Sequence, residues 1–281
     1  MNPWRLPAAA FFAATALLAT AADERAPLAL EQALETASRR LSERLLADTN
    51  GLPYVLVSPP RSEFATKRAA ARMETMARFF DVILVDLDEA ALSERMSTAF
   101  VASERLRARA PEATDTLRAR VVYLDLLSRR NTARLNQRLT RSALALALGT
   151  PGRLADELVE PALPTGEEPP GETERPRAPS PSGTDPAANR LAHARVVARL
   201  EFEWLVRSER PRMRLRSALA TRALDESRAR FDAGESADLG NAMAATVEAQ
   251  RDERGVDFAI ALVLERIDAL EGAGGSARPR R

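Results

Sequence analysis

Apolar residues recur at alternating steps of four and three along most of the chain, the signature of a helix burying one seam. The clearest run is Ala69, Met73, Met76, Phe80, Ile83, Leu87 and Ala90, which slips in phase and resumes at Leu92, Met96 and Ala99. No Gly or Pro interrupts residues 61–110, so the pattern predicts one uninterrupted helix of roughly 75 Å at 1.5 Å per residue. Between Phe79 and Val85 almost every side is apolar, which predicts cover by more than one neighbour. Pro111 fits the first turn of a following helix. That helix carries Leu117, Val121, Leu124, Leu135, Leu139 and Leu146, and Gly149 with Pro151 closes it. Residues 61–149 thus read as a long antiparallel helical hairpin with its tip near Ala110, Pro111 and Glu112.

A second half repeats the plan. Residues 187–233 lack Gly and contain one proline, Pro211, which should kink or break the helix. Leu191, Val197, Leu200, Trp204, Leu215 and Leu219 give it an apolar face. Gly234 breaks the pattern, Ser236 is a suitable N-cap, and a last helix should run to about Leu270, weakened at Gly240 and Gly255. Ahead of both hairpins, a first helix is predicted from Leu28 to Asp48, followed by a turn and a short apolar run, Tyr54 to Val57, that fits a brief strand or an extended crossing. The expected fold is all-α: two long antiparallel helical hairpins forming an elongated coiled-coil bundle with little or no β-structure.

The segments outside the hairpins differ in kind. Residues 150–186 hold nine of the 18 prolines, with Gly, Ser and Glu between them. Such a stretch buries too little apolar surface to order itself, and it is predicted to be a disordered linker between a first repeat, 22–149, and a second, 187–272. The tail, 273–281, should fray. At the other end, Arg5 precedes an apolar run from Ala8 to Ala19, and Ala19-Thr20-Ala21 is an A-x-A cleavage site. Residues 1–21 therefore read as a signal peptide. The run falls short of the ~20 apolar residues of a spanning helix, which disfavours an uncleaved anchor. Export is expected, to the periplasm or outer membrane in a bacterium.

Composition narrows the chemistry. The 281 residues include 41 basic and 40 acidic side chains, no cysteine and one histidine, His193. A disulfide scaffold, a thiol nucleophile and a Cys-rich zinc site are excluded. The balanced charge argues against a nucleic-acid partner. His193 lies between Arg190 and Arg195 and reads as a surface residue. Asp81, Asp86, Asp88 and Glu89 do not share one helix face and read as solvated or paired charges, not a cation site. Met73, Met76 and Met96 read as core filler, and Arg129 as the intrahelical partner of Asp125. No catalytic residue, cofactor or metal is assigned.

The two predicted tips align. Arg105, Arg107, Ala110, Glu112, Asp115 and Ala119 lie over Arg228, Arg230, Ala233, Glu235, Asp238 and Ala242 with identical residues, which suggests an internal duplication. The second tip, from Ser227 through Phe231, Gly234, Ser236, Asp238, Leu239 and Ala242 to Gln250, resembles the TolC-like outer-membrane efflux family. At its periplasmic turns that family reads aromatic–x–x–Gly–x–x–Ser/Thr–x–Leu/Val–x–x–Ala. Phe231, Gly234, Leu239 and Ala242 match; Ala237 stands at the Ser/Thr position, with Ser236 one residue early. Leu28 to Ala37 is similar to the family's opening helix, and Leu144 to Pro151 to the close of its first repeat. The chain departs from the family in lacking any segment of about 9–11 alternating residues that would make a barrel strand.

This resemblance implies a component of an efflux or type I secretion system. It would form or extend a periplasmic conduit as a homotrimer and dock a periplasmic adaptor protein and an inner-membrane transporter. Docking would fall on Ala110, Pro111, Glu112 and Asp115 at the first tip and on Gly234, Ser236, Asp238, Leu239 and Ala242 at the second. The alternative is a barrel-less periplasmic coiled-coil accessory or scaffold.

Overall fold

A computed structural model of the chain describes residues 27–40, 66–150, 157–163, 186–234 and 238–272. Helix accounts for 88% of them, with no strand or sheet, so the fold is all-α. The elements are α1 (Leu30–Arg39), α2 (Lys67–Arg109), α3 (Thr114–Ala147), α4 (Pro186–Trp204), a π-helical turn (Leu205–Glu209), α5 (Arg210–Asp232) and α6 (Leu239–Gly272). The predicted signal peptide, the run Tyr54 to Val57, Ser236 and the tail lie outside the described residues.

The local chemistry explains the ends. Thr66 caps α2 by accepting a hydrogen bond from the Ala69 amide at 3.1 Å. Helix α3 begins at Thr114, not at Pro111, which sits in the turn; the Ala110 carbonyl instead accepts from the Ala113 amide and the Thr116 hydroxyl, at 3.2 and 2.7 Å. Gly149 stops α3 as expected, in the left-handed region at φ +67. The first helix starts at Leu30, two residues later than predicted, because Leu28 exchanges backbone hydrogen bonds with Glu157 and Val159 in an isolated parallel bridge to Leu158. Residues 157–163, inside the stretch predicted to be a disordered linker, thus lie against the fold, and Leu158 and Leu163 pack on the core.

Pro211 was expected to kink or break this helix; the helix instead continues past it through a π turn. The Arg210 amide donates to the Leu205 carbonyl, five residues back, and Pro211, which has no N–H to give, enters at the first turn of α5. Helices α4 and α5 therefore run on as one long arm against α6.

Each hairpin is antiparallel, α2 against α3 and α4–α5 against α6, and α2 packs on α6 to join them. The order across the molecule is α3, α2, α6, then α4–α5. Because α3 makes no extended contact with α5 or α6, the four rods form an open layer. Helix α2 is covered on all sides in its first third: every residue from Met73 to Val82 is buried. Its Phe79 and Phe80 meet edge to face, and Phe80 stacks on Phe258 of α6 with centroids 4.3 Å apart. Leu30, Ala33 and Ala37 of α1 and Leu144 and Leu148 complete this core. A second core forms on another side of α6, where Ile260, Val263, Ile267 and Leu270 receive Ala198, Phe202 and Leu205.

Both cores sit in the half of the bundle away from the tips. Toward the tips the buried side chains are, apart from Leu224, small or hydroxylated: Ala91, Ser103, Thr116, Ala133, Ser217, Ala244, Thr246 and Ala249. There the rods are held largely by pairs between helices. Glu89 accepts from Arg130 and Arg134 at 3.1 Å, Asp86 pairs with Arg141 at 2.7 Å, Asp88 with Arg251 at 3.0 Å, Glu248 with Arg95 at 2.6 Å, and Arg216 with Asp252.

Candidate functional site

The tips were the sequence candidates, and the structure fixes their relative position. Arg72 pairs with Glu265 at 2.6 Å near the start of α2, and Gly240, the second residue of α6, lies against Thr98 near its end. Both tips therefore point the same way, but they do not coincide. Helix α2 continues eleven residues past Thr98 to Arg109, about 16 Å along the axis.

At the first tip Ala110, Pro111, Glu112 and Asp115 are all exposed. The turn is locked from within by the Thr116 hydroxyl, and Asp115 meets Arg118 at 3.4 Å across one turn of α3. At the second tip Gly234 adopts φ +76 and its amide donates to the Phe231 carbonyl at 3.0 Å. Nothing stands near the place a Gly234 Cβ would occupy, so its glycine character answers to the backbone and not to crowding. Asp238 is the N-cap of α6: its Oδ1 accepts from the Asn241 amide at 3.2 Å. The cap predicted at Ser236 is thus supplied two residues later by an acid, which also suits the positive helix end. Asp238 is exposed, while Leu239 and Ala242 are half-buried. The aligned alanines do not share a conformation: Ala110 is extended at φ −154 and Ala233 is helical at φ −74.

The remaining sequence candidates are placed plainly. His193 is exposed. Arg129 pairs with Asp125 at 2.9 Å, the predicted intrahelical pair. Met73 and Met76 are core, and Met96 is half-buried. Of the two expected states, solvated or paired, Asp86, Asp88 and Glu89 take the paired one, and Asp81, fully buried in the aromatic half of α2, is not solvated. No group of three metal-ligating side chains occurs among the described residues, and no described helix is long and apolar enough to cross a membrane.

Two features escaped sequence reasoning. One is a groove of about 590 Å³ between α3 and α5, floored by α2 and α6, which brings Asn136, Asp88, Arg216 and Asp252 to one height. Desolvation by burial raises the Asp88 carboxyl above the ordinary aspartate value against the opposing pull of Arg251, and Asp86 is raised likewise against Arg141. The other is the state of the seams. Leu117, Val121, Leu124, Leu135 and Leu146 on α3 are exposed, as are Val197, Leu200, Trp204, Leu215 and Leu219 on α4–α5. Periodicity marked these positions as apolar faces. Exposure follows from the open layer, which a one-dimensional pattern does not contain. No family model, curated protein or solved structure matches this chain.

Proposed function

We propose that the chain is a wall-forming subunit of a TolC-like efflux or type I secretion conduit. It is exported to the periplasm or outer membrane, assembles as a homotrimer, and meets a periplasmic adaptor and an inner-membrane transporter at its tip end. The observation that carries this reading is the open layer with an apolar stripe on each of its two edge helices, α3 and α4–α5. Contiguous exposed apolar surface of this kind marks an interaction site. Two different edges on one subunit make a head-to-tail contact that closes into a ring when the rotation allows. The exposed, internally braced tips suit docking, and the role asks for no catalysis.

The absence of cysteine makes the test clean. Leu135 on α3 and Leu219 on α5 lie near the height marked by Asn136 and Arg216. Copies carrying Leu135→Cys are mixed with copies carrying Leu219→Cys and oxidised. A disulfide between unlike copies, with light scattering giving a closed oligomer, is expected. A monomer at all concentrations with no cross-link sinks the reading. Gly234→Pro or Asp238→Arg should weaken adaptor cross-linking while helicity is kept; unchanged cross-linking removes the tip assignment.

A barrel-less periplasmic scaffold is the second reading, favoured because the helical layer carries its own cores and register with no strand in it. Membrane fractionation and heat-modifiable gel migration separate the two.

A further inference from the structure

Each edge rod of the layer carries a run of arginine without acid. From Leu126 to Ala147, α3 has five arginines and no Asp or Glu; from Arg210 to Leu224, α5 has five arginines and none either. Acids outside these runs take up four of the five on each rod. On α3, Glu89 holds Arg130 and Arg134, Asp86 holds Arg141, and Asp125 holds Arg129. On α5, Asp257 holds Arg210, Glu209 holds Arg212, Asp252 holds Arg216 and Glu226 holds Arg222. One arginine is left over on each rod, Arg138 and Arg214. Both are exposed and have no carboxylate partner among the described residues.

The two left-over cations occupy equivalent places. The groove sets Asn136 of α3 and Arg216 of α5 at one height. Arg138 lies two residues after Asn136 and Arg214 two before Arg216. Because α3 and α5 run in opposite senses, both steps go the same way along the layer. Two residues turn a helix by about 200°, so both arginines stand on the face opposite the groove. Between groove face and arginine, on the outer edges, lie the exposed Leu135 and Leu215. A ring closed head-to-tail has no axial step, so equal heights meet across each seam. Leu135 then faces Leu215 of the next copy, and Arg138 stands beside Arg214 of the next copy. Bare, the two guanidinium groups repel; an anion shared between them reverses the sign.

We propose that each seam of the ring binds one phosphate-type oxyanion between Arg138 of one copy and Arg214 of the next, and that closure of the ring depends on it. Guanidinium offers a planar fork of N–H donors that matches such an oxyanion, and it stays charged at any physiological pH. A single copy has no such site, because its two left-over arginines stand on opposite edges. The inference rests on the ring reading and adds a ligand to its seam.

The test follows assembly of the full chain by light scattering, with the cysteine-mixing pair reporting the seam, in ~20 mM sodium phosphate and in chloride of the same ionic strength. Phosphate should lower the protein concentration of half-assembly at least about tenfold. Arg138→Glu sets a carboxylate beside Arg214 of the next copy. This variant should assemble in chloride as well as the natural chain does in phosphate, and should ignore phosphate, whereas a general salting effect of the ion would persist in it. Adding Arg214→Glu returns like charges to the seam and should undo the gain in both buffers. Both positions are exposed, and an unchanged circular dichroism spectrum checks the fold. Vesicles of phosphatidic acid in chloride form a further arm: assembly promoted by vesicles and not by free phosphate keeps the site and assigns it to a lipid headgroup. Equal assembly of the natural chain in all three media, or a phosphate response that survives Arg138→Glu, overturns the proposal and leaves the ring standing. Absence of the cross-link in every medium and every variant removes the ring, and the site with it.

Discussion

Gly240 of α6 lies close against Thr98 of α2, and replacing it by alanine tests how the two helices are joined. An added Cβ would lie 1.8 Å from Thr98 Oγ1, 2.9 Å from its Cβ and 3.0 Å from its Cγ2. Turning the threonine about its side-chain bond moves the oxygen but not the Cβ, so the backbones of α2 and α6 must separate. Separation also strains the nearby Arg95–Glu248 pair at 2.6 Å. Overpacking of this kind costs about 1–3 kcal/mol. Alanine regains helix propensity worth up to about 1 kcal/mol, less in a first turn such as this. The expected net loss is therefore about 1–2 kcal/mol. The assay is urea unfolding followed at 222 nm, at fixed protein concentration, with the slope compared to show that the denatured state is unchanged. A double-mutant cycle supplies the attribution. Thr98→Ala removes two of the three clashing atoms, so Gly240→Ala should cost clearly less in that background. A neutral or stabilising Gly240→Ala, or an equal cost in both backgrounds, would refute the close-approach argument.

Other consequences can be checked as directly. Asp86 and Asp88 have folded-state carboxyl pKa values raised above 3.8. Their contribution is fully favourable below the unfolded value and is lost as pH rises through the folded one. The stability difference between the natural chain and a double Asp86→Asn, Asp88→Asn variant should therefore grow as pH is lowered toward 4, and a flat difference across the titration would contradict it. Glu89→Gln leaves Arg130, whose side chain is 19% exposed, without its anion. A loss of about 1.5–3 kcal/mol is expected, and a change within noise would show the pair to be ornamental. Phe258→Ala removes the ring stacked on Phe80 in a fully buried site and should cost about 3–5 kcal/mol by thermal or urea unfolding, whereas a surface-like cost would place the core elsewhere.

The helices, their antiparallel pairing and the rod-like plan were legible in the sequence because each follows from local spacing. Met73, Met76 and Phe80 declare a seam, and the all-round apolar stretch after them declares a helix covered by several neighbours. Caps were less legible. Ser236 and Asp238 are both good N-cap residues, and only the backbone path selects the aspartate. Pairing partners distant in sequence were invisible: nothing near Glu89 indicates that Arg130 and Arg134 will reach it. The burial of Asp81 and the closeness of Gly240 to Thr98 depend on how α2 and α6 cross, and spacing within one helix carries no information about that. The candidate tips were found as turns, but their stagger, which carries the end of α2 past the start of α6, required the three-dimensional register.

The π turn ahead of Pro211 has a consequence for how length is counted. The buried positions of the long arm are Ala198, Phe202, Leu205, Arg210, Ser217 and Leu224, at steps of four, three, five, seven and seven. The single five breaks an otherwise continuous heptad by one residue. In a plain α-helix five residues carry Arg210 about 140° round from Leu205, away from Asp257, with which it pairs at 2.8 Å. The π turn stacks residue i+5 over residue i and absorbs the surplus. Geometrically, then, α4–α5 is a heptad rod carrying one inserted residue, stored in the backbone and not in a loop. It is stored where proline has already removed the hydrogen bond that an insertion would disturb.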